Sequence, residues 1–454
     1  FKRKGINLIE EKNMIETFMN IFMSLGSSVF IPAIIIVLGL ILRMKPGKAI
    51  VAGLTIGIGF IGLSMVTGLM TDALGPAVKL MVEKYGLSLS IMDLGSGTAG
   101  PVAFSTTMGI VIIPIAFALN AVLIYLGLTK TFNVDVWNLW QPALIGIMVW
   151  GITDSFLIGV LSMIPAFLIE IILADLATPF MTDFYGFSGM TCTHMMANAG
   201  LVLAVPLNWL FDKIPGLNKI EVNPEIIQEK FGVVGDPIVI GFVIGLAIGA
   251  LAGYEVPAML TLGVQMAAVL KIMPKMVSLF MEGLTPVAEA TKEFTAKYMG
   301  GREVNIGMDA ALVVGNSSVM STALLMIPIT LLIGVILPGN KVLPFGDLPT
   351  LVFGLALMVA GFRGNVFRSV LGCSIYTITM LYAATYLAPA LTTAYHIAGF
   401  EIGSGMISYV TAGLWPNVLI VFITNLLSVP GLLILTVIAL VVLFYVNKKN
   451  KVQA

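Results

Sequence analysis

The stretch Ile110-Val-Ile-Ile-Pro-Ile-Ala-Phe-Ala-Leu-Asn-Ala-Val-Leu-Ile-Tyr-Leu-Gly-Leu128 contains nineteen residues and no charged side chain. At the rise of an α-helix, a run of this length covers about 30 Å, which is the thickness of the hydrocarbon core of a membrane. Similar apolar runs occur from Val29 to Leu42 and from Val429 to Val446. The pattern therefore predicts an all-α polytopic membrane protein.

The composition supports this fold class and excludes several functions. Hydrophobic residues make up 58% of the 454 residues and charged residues only 11%, whereas a soluble domain carries about 25% charge. The net charge of zero argues against a nucleic-acid-binding surface. Cys192 and Cys373 are too few and too distant for a disulfide framework or a metal cluster. We expect no metal and no cofactor.

Hydropathy predicts about eleven transmembrane helices, and an apolar segment at 155–179 allows the fifth of them to begin earlier. Their approximate cores are 27–44, 48–70, 108–128, 139–158, 192–212, 237–253, 257–280, 318–338, 348–362, 367–390 and 415–446. Basic residues favour cytoplasmic loops. This rule places the loop at Arg43, the loop at Arg363 and the C-terminal tail inside the cell, although it disagrees with the basic N-terminus.

The sequence repeats weakly at an interval of about 210 residues. Asp72–Val78 resembles Glu282–Ala288, and Met148-Val-Trp-Gly151 resembles Met358-Val-Ala-Gly361. The basic loop after the first predicted span corresponds to the loop at 253–257, which has no basic residue. Equivalent loops on opposite faces predict two inverted repeats, an arrangement typical of secondary transporters.

We therefore divide the chain into five segments. They are an N-terminal interfacial tail (1–26), a first repeat (27–212), a cytoplasmic linker (213–236), a second repeat (237–403), and a final helix with a cytoplasmic tail (404–454).

Each predicted repeat contains a segment with too many small and polar residues for a simple span. The two segments are Asp93-Leu-Gly-Ser-Gly-Thr-Ala-Gly-Pro101 and Asp309-Ala-Ala-Leu-Val-Val-Gly-Asn-Ser-Ser318. Irregular backbone at membrane depth is tolerated only where protein or water satisfies it. We predict re-entrant hairpins that meet in a polar cavity, and ordinary surface loops with helix caps are the alternative. The candidate solute contacts here are Asp93, Ser96, Thr98, Asp309 and Asn316.

Three further polar residues adjoin predicted spans. His194 precedes an apolar run, where an ionisable side chain is a functional candidate. Asn138 and Gln141 are three residues apart and share a helical face beside Trp137 and Trp140. Amides beside indole rings suit a polyol, through hydrogen bonds and stacking. The alternatives are a capping histidine and tryptophans that anchor the helix at the membrane interface.

Several longer stretches resemble the membrane subunit, enzyme IIC, of the galactitol-type phosphoenolpyruvate-dependent phosphotransferase system, in the ascorbate/galactitol superfamily. They cover most of the chain in order: Asn133–Trp140, Gly241–Gly245, Leu251–Glu255, Met281–Pro286, Pro338–Leu348 and Arg363–Arg368. The resemblance implies a carrier in the bacterial cytoplasmic membrane that moves a sugar alcohol or related sugar. It also implies separate IIA and IIB subunits, with a IIB phosphocysteine as donor, and a homodimer with an interface domain and a moving, elevator-like core domain.

The resemblance carries over to some candidate site residues. Asp309 and His194 match an aspartate and a histidine of the family, but His194 lies in Thr193-His-Met195 where Pro-His-Gly is expected. Asn316 and Gln141 stand where histidines are expected. The identity of the sugar alcohol therefore stays open. Whether the chain itself counts as an enzyme also stays open, because the resemblance places the phosphoryl-carrying groups on IIA and IIB.

Two other functions compete with this interpretation. An ion- or proton-coupled secondary transporter would use Asp93 and Asp309 as its coupling carboxylates. A membrane scaffold or sensor would need no matched polar segments at all. A Walker phosphate-binding loop is absent from the sequence, which argues against ATP hydrolysis by these residues.

Overall fold

The computed structural model describes most of the chain. The described residues are 27–86, 89–222, 224, 236–298, 304–344, 346–400 and 405–452. The predicted N-terminal tail, half of the predicted linker at 213–236 and the boundary between the last two predicted segments lie outside these residues. Helices dominate the described part, as the apolar runs predict.

Fifteen α-helices occur in the described residues, numbered here in chain order. They are α1 Ser27–Ile41, α2 Pro46–Lys84, α3 Ala99–Phe104, α4 Thr107–Tyr125, α5 Trp140–Thr153, α6 Phe156–Asp183, α7 Met195–Asn198, α8 Leu201–Lys213, α9 Pro237–Ala252, α10 Val256–Tyr298, α11 Ala311–Val314, α12 Ser317–Ile336, α13 Leu351–Gly361, α14 Val366–Ile397 and α15 Trp415–Val452.

Six helical segments of the described chain are long and apolar enough to cross a membrane. They are Thr107–Tyr125, Phe156–Asp183, Met195–Lys213, Ser317–Ile336, Val366–Ile397 and Trp415–Lys448. Shorter apolar helices include Ile238–Ala252 and Leu351–Gly361. The chain is thus an all-α membrane protein with several spans, while the predicted total of eleven stays a prediction.

The span predicted at 139–158 is wrong, because this region contains the end of one helix and the start of another. Helix α5 ends at Asp154, whose φ of 51° is left-handed. Ser155 then begins α6 by accepting a hydrogen bond from the N–H of Ile158. A side-chain oxygen at this position satisfies a free N–H of the first turn and separates the two helices.

Short parallel strands interrupt the helices at five places in the described residues: β1 Ile91–Asp93, β2 Thr131–Asn133, β3 Met190–Cys192, β4 Asn305–Met308 and β5 Met406–Ser408. Strand β4 lies between β2 and β3, although it follows them by more than a hundred residues. Strand β1 pairs with β5, and Ile91 also bridges to Val342. Each of β1, β2 and β3, from the first half of the chain, is therefore paired with a strand from the second half.

Helices α9 and α10 pack closely because glycines line their contact. A β-carbon added at Gly241 would lie 2.8 Å from the carbonyl oxygen of Met266, and one at Gly245 would lie 2.7 Å from Cα of Gly263. Small residues at helical spacing allow backbones to approach in a membrane. Gly241 and Gly245 are therefore positions at which the backbones of α9 and α10 lie close together.

Gly413 provides a test of the packing at the C-terminal strand. It ends the 3-10 turn after β5, and an added β-carbon would collide with the carbonyl oxygen of Met380 in α14. We expect Gly413→Ala to lower the thermal midpoint in detergent, because overpacking against backbone costs about 1–3 kcal/mol. Gly405→Ala is the control, since a β-carbon added at Gly405 would meet nothing within 4 Å. Equal midpoints for the two variants would contradict the packing described.

Candidate functional site

The carboxyl ends of three parallel strands meet at one edge of the small sheet. The register aligns Asn133 of β2 with Gly307 of β4, and Cys192 of β3 with Met308 of β4. The N–H of Thr193 extends the pairing by donating to the carbonyl of Met308 at 2.9 Å. Because the strands run in the same direction, the residues that follow them emerge together. We call the resulting group the tip cluster, and it comprises Asp135, Asn138, His194 and Asp309.

Asp135 organises the turn after β2. It is 1% exposed, and its carboxylate accepts hydrogen bonds from the N–H of Trp137 at 2.9 Å and from Nδ2 of Asn138 at 3.1 Å. It lies outside the six long spans. Burial raises the pKa of Asp135 well above its usual range, and the negative charge of Asp309 raises it further. The two carboxyl groups are therefore close enough to influence each other.

Asp309 and Asn316 each accept backbone N–H groups at the start of a helix after β4, Asp309 at the short α11 and Asn316 at the long α12. A carboxylate oxygen of Asp309 accepts the N–H of Ala311 at 2.7 Å. The side-chain oxygen of Asn316 accepts the N–H groups of Ser318 and Val319 at the start of α12. Asp309 is buried at the strand edge, whereas Asn316 lies one helical turn farther along and is half-buried. The structure thus assigns Asn316 a clear capping contact.

Two buried polar atoms of the tip cluster have no hydrogen-bond partner among the described residues. They are Oδ1 of Asn138 and Nδ1 of His194. Buried polar atoms are nearly always paired, so an unpaired one marks a site that a ligand or water can satisfy. Aromatic rings flank the imidazole, with Trp140 at 6.4 Å and Phe353 at 6.2 Å between centroids. The cluster therefore combines free polar atoms with apolar ring surfaces.

Gln141 holds two helices together beside this cluster. It is buried, and its side-chain oxygen accepts the N–H of Met196 at 3.1 Å. This bond joins the first turn of α5 to α7, the short helix that begins immediately after His194. The oxygen of Gln141 thus has a structural partner, and the bond fixes where the imidazole lies.

The other three predicted site residues lie in a second cluster, which comprises Asp93, Ser96, Thr98, Asp347, Thr350 and Thr411. Asp347 is its centre: its carboxylate accepts the N–H of Ser96 at 2.8 Å and both the N–H and the hydroxyl of Thr411 at 2.7 Å. Asp93 accepts the N–H of Gly95, and the hydroxyl of Thr98 contacts Tyr395. This cluster satisfies its own carboxylates more fully than the tip cluster does.

Residues next to the two clusters pack against each other at small residues. Helix α3 follows Thr98, and a β-carbon added at its Gly100 would lie 2.9 Å from the indole of Trp137. In α13, a β-carbon at Gly354 would lie 3.2 Å from Thr411 and 3.8 Å from Met196. The eight predicted site residues are therefore distributed over one connected region, with five near the tip cluster and three in the second cluster.

Asp135 and Asp347 lie in the two clusters, and Asn133 and Thr193 lie beside the tip cluster, although none of the four was among the contacts predicted from the sequence. Asp135 lies inside the stretch Asn133–Trp140, between Asn133 and Asn138, so an acidic residue among amides was a usable signal. Asp347 follows a Phe-Gly pair and carries no comparable signal. Among the described residues, no group of three or more His, Cys, Asp or Glu side chains is arranged to hold a metal ion.

Comparisons with known proteins agree with the resemblance seen in the motifs. The sequence profile of the EIIC-GAT family, described as the PTS system sugar-specific permease component, matches residues 20–405. The PTS system galactitol-specific EIIC component of Escherichia coli strain K12 is 37% identical over 434 residues, covering 95% of this chain and 96% of that protein. The galactitol-specific EIIC component of Escherichia coli O157:H7 shows the same identity and coverage. The similarity therefore extends over nearly the whole chain.

Asp347 gives a test of the second cluster. Replacing it by alanine leaves the N–H of Ser96 and both donors of Thr411 without their acceptor. We expect Asp347→Ala to reduce the free energy of unfolding by about 3 kcal/mol, because buried donors lose charge-assisted bonds. The thermal midpoint of the purified protein measures this, with exposed Asp183→Ala as control. A midpoint equal to that of the control would refute the central role of Asp347.

Proposed function

This chain belongs to the EIIC-GAT family, the sugar-specific permease component of the phosphotransferase system, and from that premise we propose its solute and binding site. The chain is a multi-pass protein of the cytoplasmic membrane that works with IIA and IIB subunits. We propose a galactitol-like sugar alcohol as solute, the compound named for the two relatives. The unpaired atoms of Asn138 and His194 are the observation that supports binding at the tip cluster.

The chemistry of the tip cluster suits a polyol. Each hydroxyl of a sugar alcohol both donates and accepts, so it can donate to Oδ1 of Asn138 and bond to Nδ1 of His194. The carboxyl groups of Asp135 and Asp309 supply further oxygens at the same strand edge. The rings of Trp140 and Phe353 cover the carbon backbone of the solute.

The remaining predicted contacts complete the proposal. The amide nitrogen of Gln141 and that of Asn316 stay available to the solute while their oxygens hold the structure. Asp93, Ser96 and Thr98 approach from the second cluster, through α3. We propose that these five residues close around the solute after the tip cluster has bound it.

We propose that the two ends of the chain are inverted repeats, as the sequence pattern predicts. In support, the order of two helices, a strand, a short helix and a long helix occurs from α1 to α4 and again from α9 to α12. Helices α5 and α13 end in equivalent left-handed turns, at Asp154 and at Arg363. These turns lie near opposite ends of α14, because Gly151 contacts Thr393 whereas Phe362 contacts Gly372.

We propose which face of the protein is cytoplasmic from the distribution of its basic residues. The 32 residues of α14 cover roughly 48 Å, so its ends lie at opposite faces of the membrane. The face at its first residue holds Arg363 and Arg368, and Arg368 pairs with Asp212 beside the exposed Lys213. The positive-inside rule makes this face cytoplasmic. Asn447 contacts Asp175 in the second half of α6, which ends at this face, so the C-terminus is cytoplasmic too.

We propose that α1, α2, α9 and α10 form an interface domain and that the strands with their attached helices form a moving core. In support, α2 and α10 pack directly, since Gly62 contacts Met276 and Gly283 contacts the backbone of Ala52. A homodimer formed through the interface domain would stay fixed while the core carries the solute across, as in an elevator. The proposal keeps the five segments predicted from the sequence, with their boundaries at 26, 212, 236 and 403.

The reaction at the inner face follows from the partners. A solute hydroxyl oxygen attacks the phosphoryl group carried by a cysteine of IIB, so an oxygen–phosphorus bond forms and the sulfur–phosphorus bond breaks. The hydroxyl proton leaves to water, and IIA then recharges IIB. The charged product no longer suits a cluster that contains two carboxyl groups. The ion-coupled alternative is not favoured, because the family and both relatives belong to the phosphotransferase system.

Uptake into vesicles tests the coupling. Proteoliposomes that hold the chain, with IIA, IIB, the general phosphotransferases and phosphoenolpyruvate on the cytoplasmic side, should accumulate galactitol as its phosphate. Omission of IIB should abolish that product. Accumulation of free galactitol driven by a cation gradient alone would overturn the proposal.

Asp309→Asn tests the site itself. The amide keeps the shape of the side chain but removes an anionic acceptor, so we expect galactitol to bind about tenfold to a hundredfold more weakly. Isothermal titration of the purified protein measures the dissociation constant. Asp183→Asn is the matched control, because Asp183 is exposed at the end of α6. If both variants bind like the unmodified protein, the solute does not contact Asp309.

A further inference from the structure

Glu170 is a fully buried acid within the long apolar helix α6. An ionisable side chain inside a membrane span is costly to desolvate, so such a residue is a candidate for a functional role. It lies within the apolar segment 155–179 of the sequence, and the proposed solute contacts do not include it.

The contacts of Glu170 lead to the tip cluster through one asparagine. Its Oε1 accepts a hydrogen bond from Nδ2 of Asn133 at 3.0 Å. The side-chain oxygen of Asn133 in turn accepts the hydroxyl of Thr193 at 3.1 Å and the N–H of Asp135 at 3.0 Å. Asn133 therefore joins the ends of β2 and β3, and Glu170 fixes which way its amide faces. Oε2 of Glu170 has no partner among the described residues.

The corresponding position in α14 carries no acid. Ser155 and Asn365 are the capping residues of α6 and α14, and each accepts an N–H of its helix. Glu170 lies fifteen residues after Ser155, and Met380 lies fifteen residues after Asn365. Both side chains are buried, so the packing of a long helix at this depth accepts an apolar residue. The acid occurs in the helix next to the cluster that has unpaired polar atoms.

We propose that Glu170 is a positioning residue for the solute site. Its carboxyl group orients the amide of Asn133, and Asn133 holds Thr193 and the backbone of Asp135 so that His194 and Asn138 face the solute. The proposal rests on the assignment of the tip cluster as the solute site. It does not require Glu170 to touch the solute.

Two substitutions distinguish the role of Glu170 as a hydrogen-bond acceptor from the role of its side-chain volume. Glu170→Gln keeps a carbonyl oxygen for Nδ2 of Asn133, and Glu170→Met introduces the residue of the corresponding position in α14. We expect the dissociation constant of galactitol to rise about tenfold or more in Glu170→Met and by less than about threefold in Glu170→Gln. Rescue by the glutamine is the outcome that a role in packing alone would not produce.

Asp175→Asn is the matched control. Asp175 is also a buried acid of α6, but it accepts the hydroxyls of Thr129 and Thr131 and the amide of Asn447, at the amino end of β2 rather than at its carboxyl end. We expect Asp175→Asn to lower the thermal midpoint and to leave the affinity for galactitol within about threefold.

A second measurement does not depend on the solute. Cys192 and Cys373 are both buried free thiols, and Cys192 immediately precedes Thr193. If Asn133 is no longer oriented, the end of β3 loosens and Cys192 becomes accessible. A maleimide should therefore label Cys192 at least about tenfold faster in Glu170→Met than in the unmodified protein or in Glu170→Gln, because labelling requires local opening. Labelling of Cys373, identified by mass spectrometry, is the internal reference.

The outcomes separate the two proposals. If the unmodified protein does not bind galactitol but Cys192 responds as described, the solute assignment fails and the positioning role stands. If galactitol binds and both its affinity and the labelling of Cys192 are unchanged in Glu170→Met, the positioning role is refuted. It is also refuted if Glu170→Gln is as impaired as Glu170→Met, because the acceptor would then be irrelevant.

Discussion

The pairing of short strands between distant parts of the chain is the constraint on which the rest of the structure depends. Backbone N–H and C=O groups inside a membrane need partners, and a helix supplies them internally whereas an irregular segment does not. Here β4 finds its partners in β2 and β3, and β1 finds its partners in β5 and Val342. The polar backbone is satisfied, and the residues that follow the strands are brought to defined edges.

This arrangement explains why polar side chains gather where they do. A helix distributes its side chains around an axis, but parallel strands release their next residues at one edge. Asp135, His194 and Asp309 come together for this reason, from three regions of sequence that are far apart. The second cluster arises in the same way, yet Asp347 bonds to most of its neighbours. The carboxylate of Asp347 is thus paired within the fold, whereas Asn138 and His194 each keep an unpaired buried polar atom.

The sequence could predict the helices and the two polar segments, because hydropathy and small polar residues are local signals. It could not predict the pairing of Asn133 with Gly307, since three-residue strands have no periodicity and their partners lie far away in sequence. Gln141 was predicted as a solute contact, but its bond to Met196 could not be predicted because it depends on the fold. The break at Asp154 was predictable in hindsight, because Asp-Ser between two apolar runs is a local capping signal.

The pairing of strands from distant parts of the chain also affects the order in which the structure can form during synthesis. A ribosome that has completed only the first 300 residues has produced β2 and β3 but not β4, the strand that lies between them. Until β4 is synthesised, β2 and β3 lack the strand with which they pair. Their unpaired backbone N–H and C=O groups need other partners during that interval. The small sheet is thus complete only after residues from both halves of the chain have been synthesised, and a chain that stops before residue 305 has no β4.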